Sequence, residues 1–114
     1  MSYRRTEVLP MVRLLDMLKN IDGEMNIHKL LIFLTVARAD DEITQVEVAD
    51  KVGMSRQTAG KIIAQLTDTP LRGTKPGLDW LYYEDHPTDS RKTFVKLTEK
   101  GKAVLDSMLI CMET

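Results

Sequence analysis

Arg56, Gln57, Gly60, Lys61, Ala64 and Gln65 share one side of a single helical segment. Their chemistry is that of reading edges and binding charge. An arginine fork can donate to O6 and N7 of guanine, and a glutamine amide can pair with N6 and N7 of adenine. A second group follows further along the chain, with Arg91 and Lys92 near the tip of a turn and Asp89 two residues before Arg91. A basic tip there could enter a minor groove or meet phosphates. An acid in that place would be repelled by a polyanion, so Asp89 reads either as the group that holds Arg91 or as an ordinary turn residue. Between the two groups, Arg72 and Lys75 could add phosphate contacts. Taken alone, the first group also fits the solvated face of an amphipathic helix. The two groups together form the footprint of a duplex-binding device.

The elements that must carry these residues are legible. Thr44 with Glu47 three residues on is a capping box at a helix start. The helix after it has Val46, Val48, Ala49 and Val52 available for burial, and Gly53 suits a left-handed C-terminus. Met54 can plug the turn, and Ser55 is a good N-cap for the next helix. That helix sets Ala59, Ile62, Ile63 and Leu66 at i, i+3, i+4 and i+7, one apolar stripe opposite the polar face. Residues 44–67 therefore read as a helix-turn-helix. Gly60 inside it costs about 1 kcal/mol against alanine; either it lets backbone approach a phosphate or base methyl, or it is a tolerated weakness.

Residues 78–97 read as a wing. Leu78 to Glu84 is a strand with Trp80 and Tyr82 on one face and Leu81 and Tyr83 on the other, and Thr93 to Leu97 is its partner. The Pro, Asp and Ser between them make a turn. Packing is the stronger reading for these aromatics, since a base-stacking platform needs more basic residues around it. Thr98 then caps a final helix. The fold class is mainly α with a small β-hairpin, a winged helix-turn-helix in one domain spanning 1–114.

The chain resembles the MarR family of winged-helix transcriptional regulators. That family's wing carries Asp-Pro-x-Asp-Arg-Arg, a strand, then Leu-Thr-x-x-Gly. Here the segment stands as His86-Pro87-Thr88-Asp89-Ser90-Arg91, then the strand, then Leu97-Thr98-Glu99-Lys100-Gly101. The resemblance covers residues 25–105. It implies that Asp89 orients the wing, that Arg91 enters the minor groove, and that Ser55, Arg56, Gln57, Thr58 and Lys61 contact DNA from the recognition helix. Three departures stand out. His86 and Ser90 replace an acid and an arginine. Residues 69–77 make a longer link than the family places before its wing. The family ends in a long dimerisation arm, and ending at Thr114 implies a short or missing one, which bears on the dimer and on any ligand pocket near it.

Composition sets limits. The chain has 114 residues, 43% hydrophobic and 29% charged, and a net charge of −1. Residues 54–102 hold nine basic residues against six acids, a surplus of +3 that leaves −4 elsewhere. The positive half is the proposed DNA-facing half, and the narrow margin implies a shallow salt dependence. No stretch is apolar and long enough to span a membrane, and the first ten residues lack a signal-peptide core. These features imply a cytoplasmic protein of a bacterium, phage or plasmid. His28 and His86 are too isolated for a metal site, Cys111 lies in an apolar tail, and no catalytic triad, phosphate loop or carboxylate pair is present. No enzyme activity, metal or cofactor is expected; a small-molecule effector is compatible with the chain, but no residue argues for one.

The rest reads as scaffold. Residues 7–20 form a helix with Val8, Met11, Val12, Leu15 and Leu18 on one stripe, and Pro10 fits only near its start. Met25 to Arg38 forms another, with Ile27, Leu30, Leu31 and Leu34 facing the core and Phe33 a further candidate for it. The final helix, residues 98–112, carries Val104, Leu105, Met108, Leu109, Ile110 and Met112. The two terminal helices hold more apolar surface than one small core needs, which implies a homodimer through them. Packing on each other within one chain is the alternative. The function these features imply is a sequence-specific double-stranded DNA-binding regulator, most simply a repressor that blocks polymerase. Two rivals remain: a winged helix that docks on protein, such as a phage or plasmid factor bound to host machinery, and DNA binding in replication or plasmid maintenance.

Overall fold

The computed structural model describes residues 5–40, 42–68 and 77–113. Among the described residues five helices run α1 Arg5–Ile21, α2 Ile27–Arg38, α3 Gln45–Val52, α4 Arg56–Leu66 and α5 Glu99–Met112. Three strands complete the fold: β1 Ile43–Thr44, β2 Leu81–Asp85 and β3 Thr93–Leu97. The sheet is antiparallel in the order β1-β3-β2. β3 pairs on one side with β2, Leu81 opposite Leu97 and Asp85 opposite Thr93, and on the other with β1, Ile43 opposite Val95. The expected hairpin is thus joined by a third strand. Two residues are too short to register as a strand pattern, and they also serve as the entry to α3.

The helix-turn-helix forms as its signals imply. Thr44 Oγ1 accepts from the Glu47 amide, and the Glu47 side chain returns the contact by accepting from the Thr44 amide. Gly53 ends α3 at φ 72, a left-handed angle that costs glycine little. Ser55 Oγ accepts from the Thr58 amide and caps α4. Val48 and Ala49 of α3 meet Ala59, Ile63 and Leu66 of α4 in the core, while Val46 faces solvent.

β2 starts later than expected. Leu78 and Trp80 donate their amides to Gln65 O and Leu66 O, so this stretch terminates α4 by satisfying its last carbonyls instead of pairing in the sheet. Asp79 takes a positive φ of 60 between them. The turn breaks the expected alternation. Trp80 and Leu81 are both buried, and Tyr82 and Tyr83 are both exposed. Trp80 packs on Phe33 with ring centroids 5.0 Å apart. Thr98 closes the arrangement from the other side, since its Oγ1 donates to Asp79 O at 2.6 Å and accepts from the Gly101 amide. A Cβ at Gly101 would lie 2.1 Å from the Trp80 carbonyl oxygen, so glycine alone lets α5 cross there.

The outer helices bury a different face from the one expected. In α2 the buried residues are Lys29, Ile32, Phe33 and Val36, of which Phe33 is a candidate from the sequence, and Leu30 packs partly buried against the core as expected, while Ile27, Leu31 and Leu34 are exposed. The α2 sequence is apolar nearly all round, so periodicity does not fix its phase. Lys29 tolerates its place because its Nζ reaches Asp22 Oδ2 at 3.2 Å. In α1 only Leu18 of the expected stripe is buried; Val8, Met11, Val12 and Leu15 are exposed, Leu15 by 60%. Pro10 lies in the second turn of α1, not at its start. α1 and α5 pack on each other, with Cys111 Sγ 3.8 Å from Met17 Sδ, and contribute Leu18 and Met108 to the core. That contact leaves Leu109, Ile110 and Met112 exposed.

Candidate nucleic-acid interface

α4 presents Arg56, Gln57, Thr58, Lys61 and Gln65 to solvent, opposite the buried Ala59, Ile63 and Leu66. Eleven residues make a rod of about 16 Å, a length that fits within a major groove. Ser55 Oγ also meets Thr58 Oγ1 at 2.9 Å, so the cap hydroxyl and its neighbour act as a pair. Gly60 is only half-buried, and a Cβ there would lie 3.0 Å from Gln45 Nε2. Its nearest neighbour is thus the head of α3, a contact between the two helices of the motif that its place on the polar face does not suggest.

At the wing the strands end in a tight turn whose geometry centres on two side chains. Asp89 Oδ1 accepts from the Arg91 amide at 3.0 Å and from Arg91 Nε at 3.3 Å. The Arg91 amide, foremost, holds the Asp89 carboxyl below the usual carboxylate range against the opposing effect of burial, with smaller help from the Arg91 guanidinium and Lys92. Arg91 is 90% exposed, so the pair orients the guanidinium without hiding it. His86 Nδ1 accepts from the amides of Thr88 at 3.2 Å and Asp89 at 3.0 Å. Lys92 stays exposed while its backbone closes the turn.

The two groups meet. A cavity of about 100 Å³ is lined by Thr44, Gln45 and Val46 at the head of α3, by Arg56 at the head of α4, and by Arg91, Lys92 and Thr93 of the wing. Three cations from two distant parts of the chain thus surround one concavity beside the N-terminal ends of two helices, where backbone amides also favour an anion. The residues of α3 in this cavity escape a reading by core periodicity, which assigns Val46 to the interior. Their place in the first turn of the first helix of the motif is the available signal.

Other basic residues are directed elsewhere. Lys96 pairs with Glu84 and with Glu42 at 3.5 Å, and the hydrogen bond to Glu84 pushes its ammonium pKa up. Lys102 pairs with Glu99 at 3.2 Å. Arg72 and Lys75 lie outside the described residues. Burial raises the pKa of the Tyr83 hydroxyl. Among the described residues no helix is long and apolar enough to cross a membrane, and no three His, Cys, Asp or Glu side chains cluster as a metal site.

No family model matches the chain, and no curated protein matches it significantly. Solved structures do resemble it. A transcriptional regulator from Thermotoga maritima superposes with a TM-score of 0.67 at 17% identity, over 94% of this chain and 68% of that one. MarR from E. coli in its apo form gives 0.64 at 18%, over 100% and 80%. The S. aureus MepR–DNA complex gives 0.67 at 16%, over 89% and 74%. The chain spans as little as 63% of the length of another such structure, a MarR transcriptional regulator from Methanosarcina mazei Go1. Five helices and a three-stranded antiparallel sheet in this order are therefore the winged-helix fold of MarR-type transcriptional regulators, the fold that the wing and helix-turn-helix motifs imply.

Proposed function

We propose that the protein is a sequence-specific double-stranded DNA-binding transcriptional regulator. α4 enters a major groove with Arg56, Gln57, Thr58, Lys61 and Gln65 toward base edges and phosphates. The wing places Arg91 in the adjacent minor groove, with Asp89 orienting it and Lys92 beside it. The observation that carries this reading is the shared cavity in which Arg56, Arg91 and Lys92 converge. Such convergence serves a polyanion that spans both elements, and the MepR–DNA complex is a solved instance of this fold on DNA. A homodimer through the exposed apolar faces of α1 and α5 would set two recognition helices about 34 Å apart on one face of the duplex. A compact binder of this kind acts most simply as a repressor in the cytoplasm, by occupying the site polymerase needs.

The test is fluorescence anisotropy of labelled duplexes from the region upstream of the protein's own coding sequence, over a range of salt. Tight, sequence-dependent binding that weakens with salt supports the reading. No binding to any duplex at low salt would transfer the function to protein docking.

A further inference from the structure

We infer that His86 is a positioning residue of the wing, its neutral imidazole holding through Nδ1 the turn that presents Asp89 and Arg91. This rests on the proposed role of the wing in DNA binding. The chain of contacts is direct. His86 Nδ1 accepts from the amides of Thr88 and Asp89, and Asp89 Oδ1 accepts in turn from the amide and Nε of Arg91. Thr88 Oγ1 also lies 3.4 Å from the same nitrogen. The ring is fixed from its flank by Phe94 of β3, with centroids 5.0 Å apart and planes tilted by 37°.

His86 stands where the resembled wing motif has an acid. Nδ1 of histidine is as far along the side chain as Oδ1 of aspartate, so either atom can accept the same two amides. The histidine differs in one property. Protonation makes Nδ1 a donor, and imidazoles take up that proton between about pH 5 and 8. The turn is therefore held by a ring whose Nδ1 is free to accept, and a proton on Nδ1 would remove that hold. The charged groups tied to this turn are Asp89, Arg91 and Lys92, and Lys96 of β3 sits 5.9 Å from the centroid of the Phe94 ring that flanks His86. Asp89 is itself held ionised by Arg91, so it does not titrate in the same window.

The experiment follows the Thr88 and Asp89 amides in ¹H–¹⁵N spectra of the free protein from about pH 8 to about pH 5.5, alongside the His86 ring protons. Both amides should move with the midpoint of the ring. In His86→Asn, whose Oδ1 accepts without titrating, they should stay at the high-pH positions throughout. In His86→Ala they should start at the released positions. With duplex at about pH 8, His86→Ala should bind about fivefold more weakly, the worth of about one hydrogen bond, and His86→Asn should restore binding. A ring that titrates while both amides stay still overturns the inference, as does His86→Ala leaving them unmoved. If no duplex binds any variant, the DNA-binding reading fails, while the amide shifts still decide the role of His86.

Discussion

Arg91 and Asp89 form a unit in which an acid serves a cation. The guanidinium is almost fully exposed, and its orientation comes from one carboxylate oxygen that also holds the backbone amide. Arg91→Ala should weaken duplex binding by about 1–3 kcal/mol in anisotropy titrations. Asp89→Ala removes a negative charge from the proposed DNA-binding wing and should nonetheless weaken binding, because the orientation of Arg91 goes with it; stronger binding by that variant would mean the acid only repels. The lowered pKa of Asp89 gives the sign of its pH dependence. A carboxyl with a depressed pKa contributes above its ordinary range and loses its contribution as pH falls through the shifted value. The Asp89–Arg91 contact should thus persist from neutral pH down past about pH 4, visible in the Arg91 Nε–H resonance. On α4, Lys61→Ala should reduce the salt slope of binding by about one and affect all sequences alike.

Two glycines inside helices, Gly101 of α5 and Gly60 of α4, make opposite predictions. Gly101→Ala puts a methyl carbon into the Trp80 carbonyl, where backbone on both sides cannot yield. Overpacking of this kind costs about 1–3 kcal/mol, and the buried Trp80, the only tryptophan of the chain, reports the loss in fluorescence-monitored denaturation. Gly60→Ala meets only the movable end of Gln45, so helix propensity should dominate and stability should rise by up to about 1 kcal/mol. Unchanged duplex affinity in that more stable variant would mark Gly60 as a concession to α3. A loss of affinity would show that backbone at Gly60 approaches DNA.

For the whole molecule the proposed dimer rests on the exposed apolar residues of α1 and α5. Leu18 and Met108 are buried, yet Val8, Met11, Val12, Leu15, Leu109 and Ile110 on the same two helices are exposed, the kind of apolar surface that marks an interaction site when contiguous. Leu15→Asp combined with Ile110→Asp should leave the fold and Trp80 emission intact, convert the species seen by light scattering from dimer to monomer, and reduce duplex affinity steeply. A wild-type monomer at high concentration would remove the dimer from the proposal. The charge of the whole molecule argues for modest affinity away from specific sites. Lys96 and Lys102 are engaged by glutamates, so the basic surplus at the candidate interface is narrower than a count along the chain suggests.

What the residues alone determined is whatever depends on neighbours close in sequence. The capping box at Thr44, the glycine stop at Gly53, the Ser55 cap and the β3 limits are local hydrogen-bond and dihedral preferences, and each formed as its residue types imply. The polar face of α4 was legible for the same reason. The tertiary structure decided what depends on partners far along the chain. It chose which side of the uniformly apolar α2 is buried, because only packing against α3 and α4 breaks that symmetry. It drew Trp80 out of the strand, because the carbonyl ends of α4 needed donors. It brought Arg56 and the head of α3 to the wing, a juxtaposition made by β1 pairing with β3 across half the chain. No periodicity within either segment encodes that pairing, since its energy comes from burying Ile43 and Val95 together in the core.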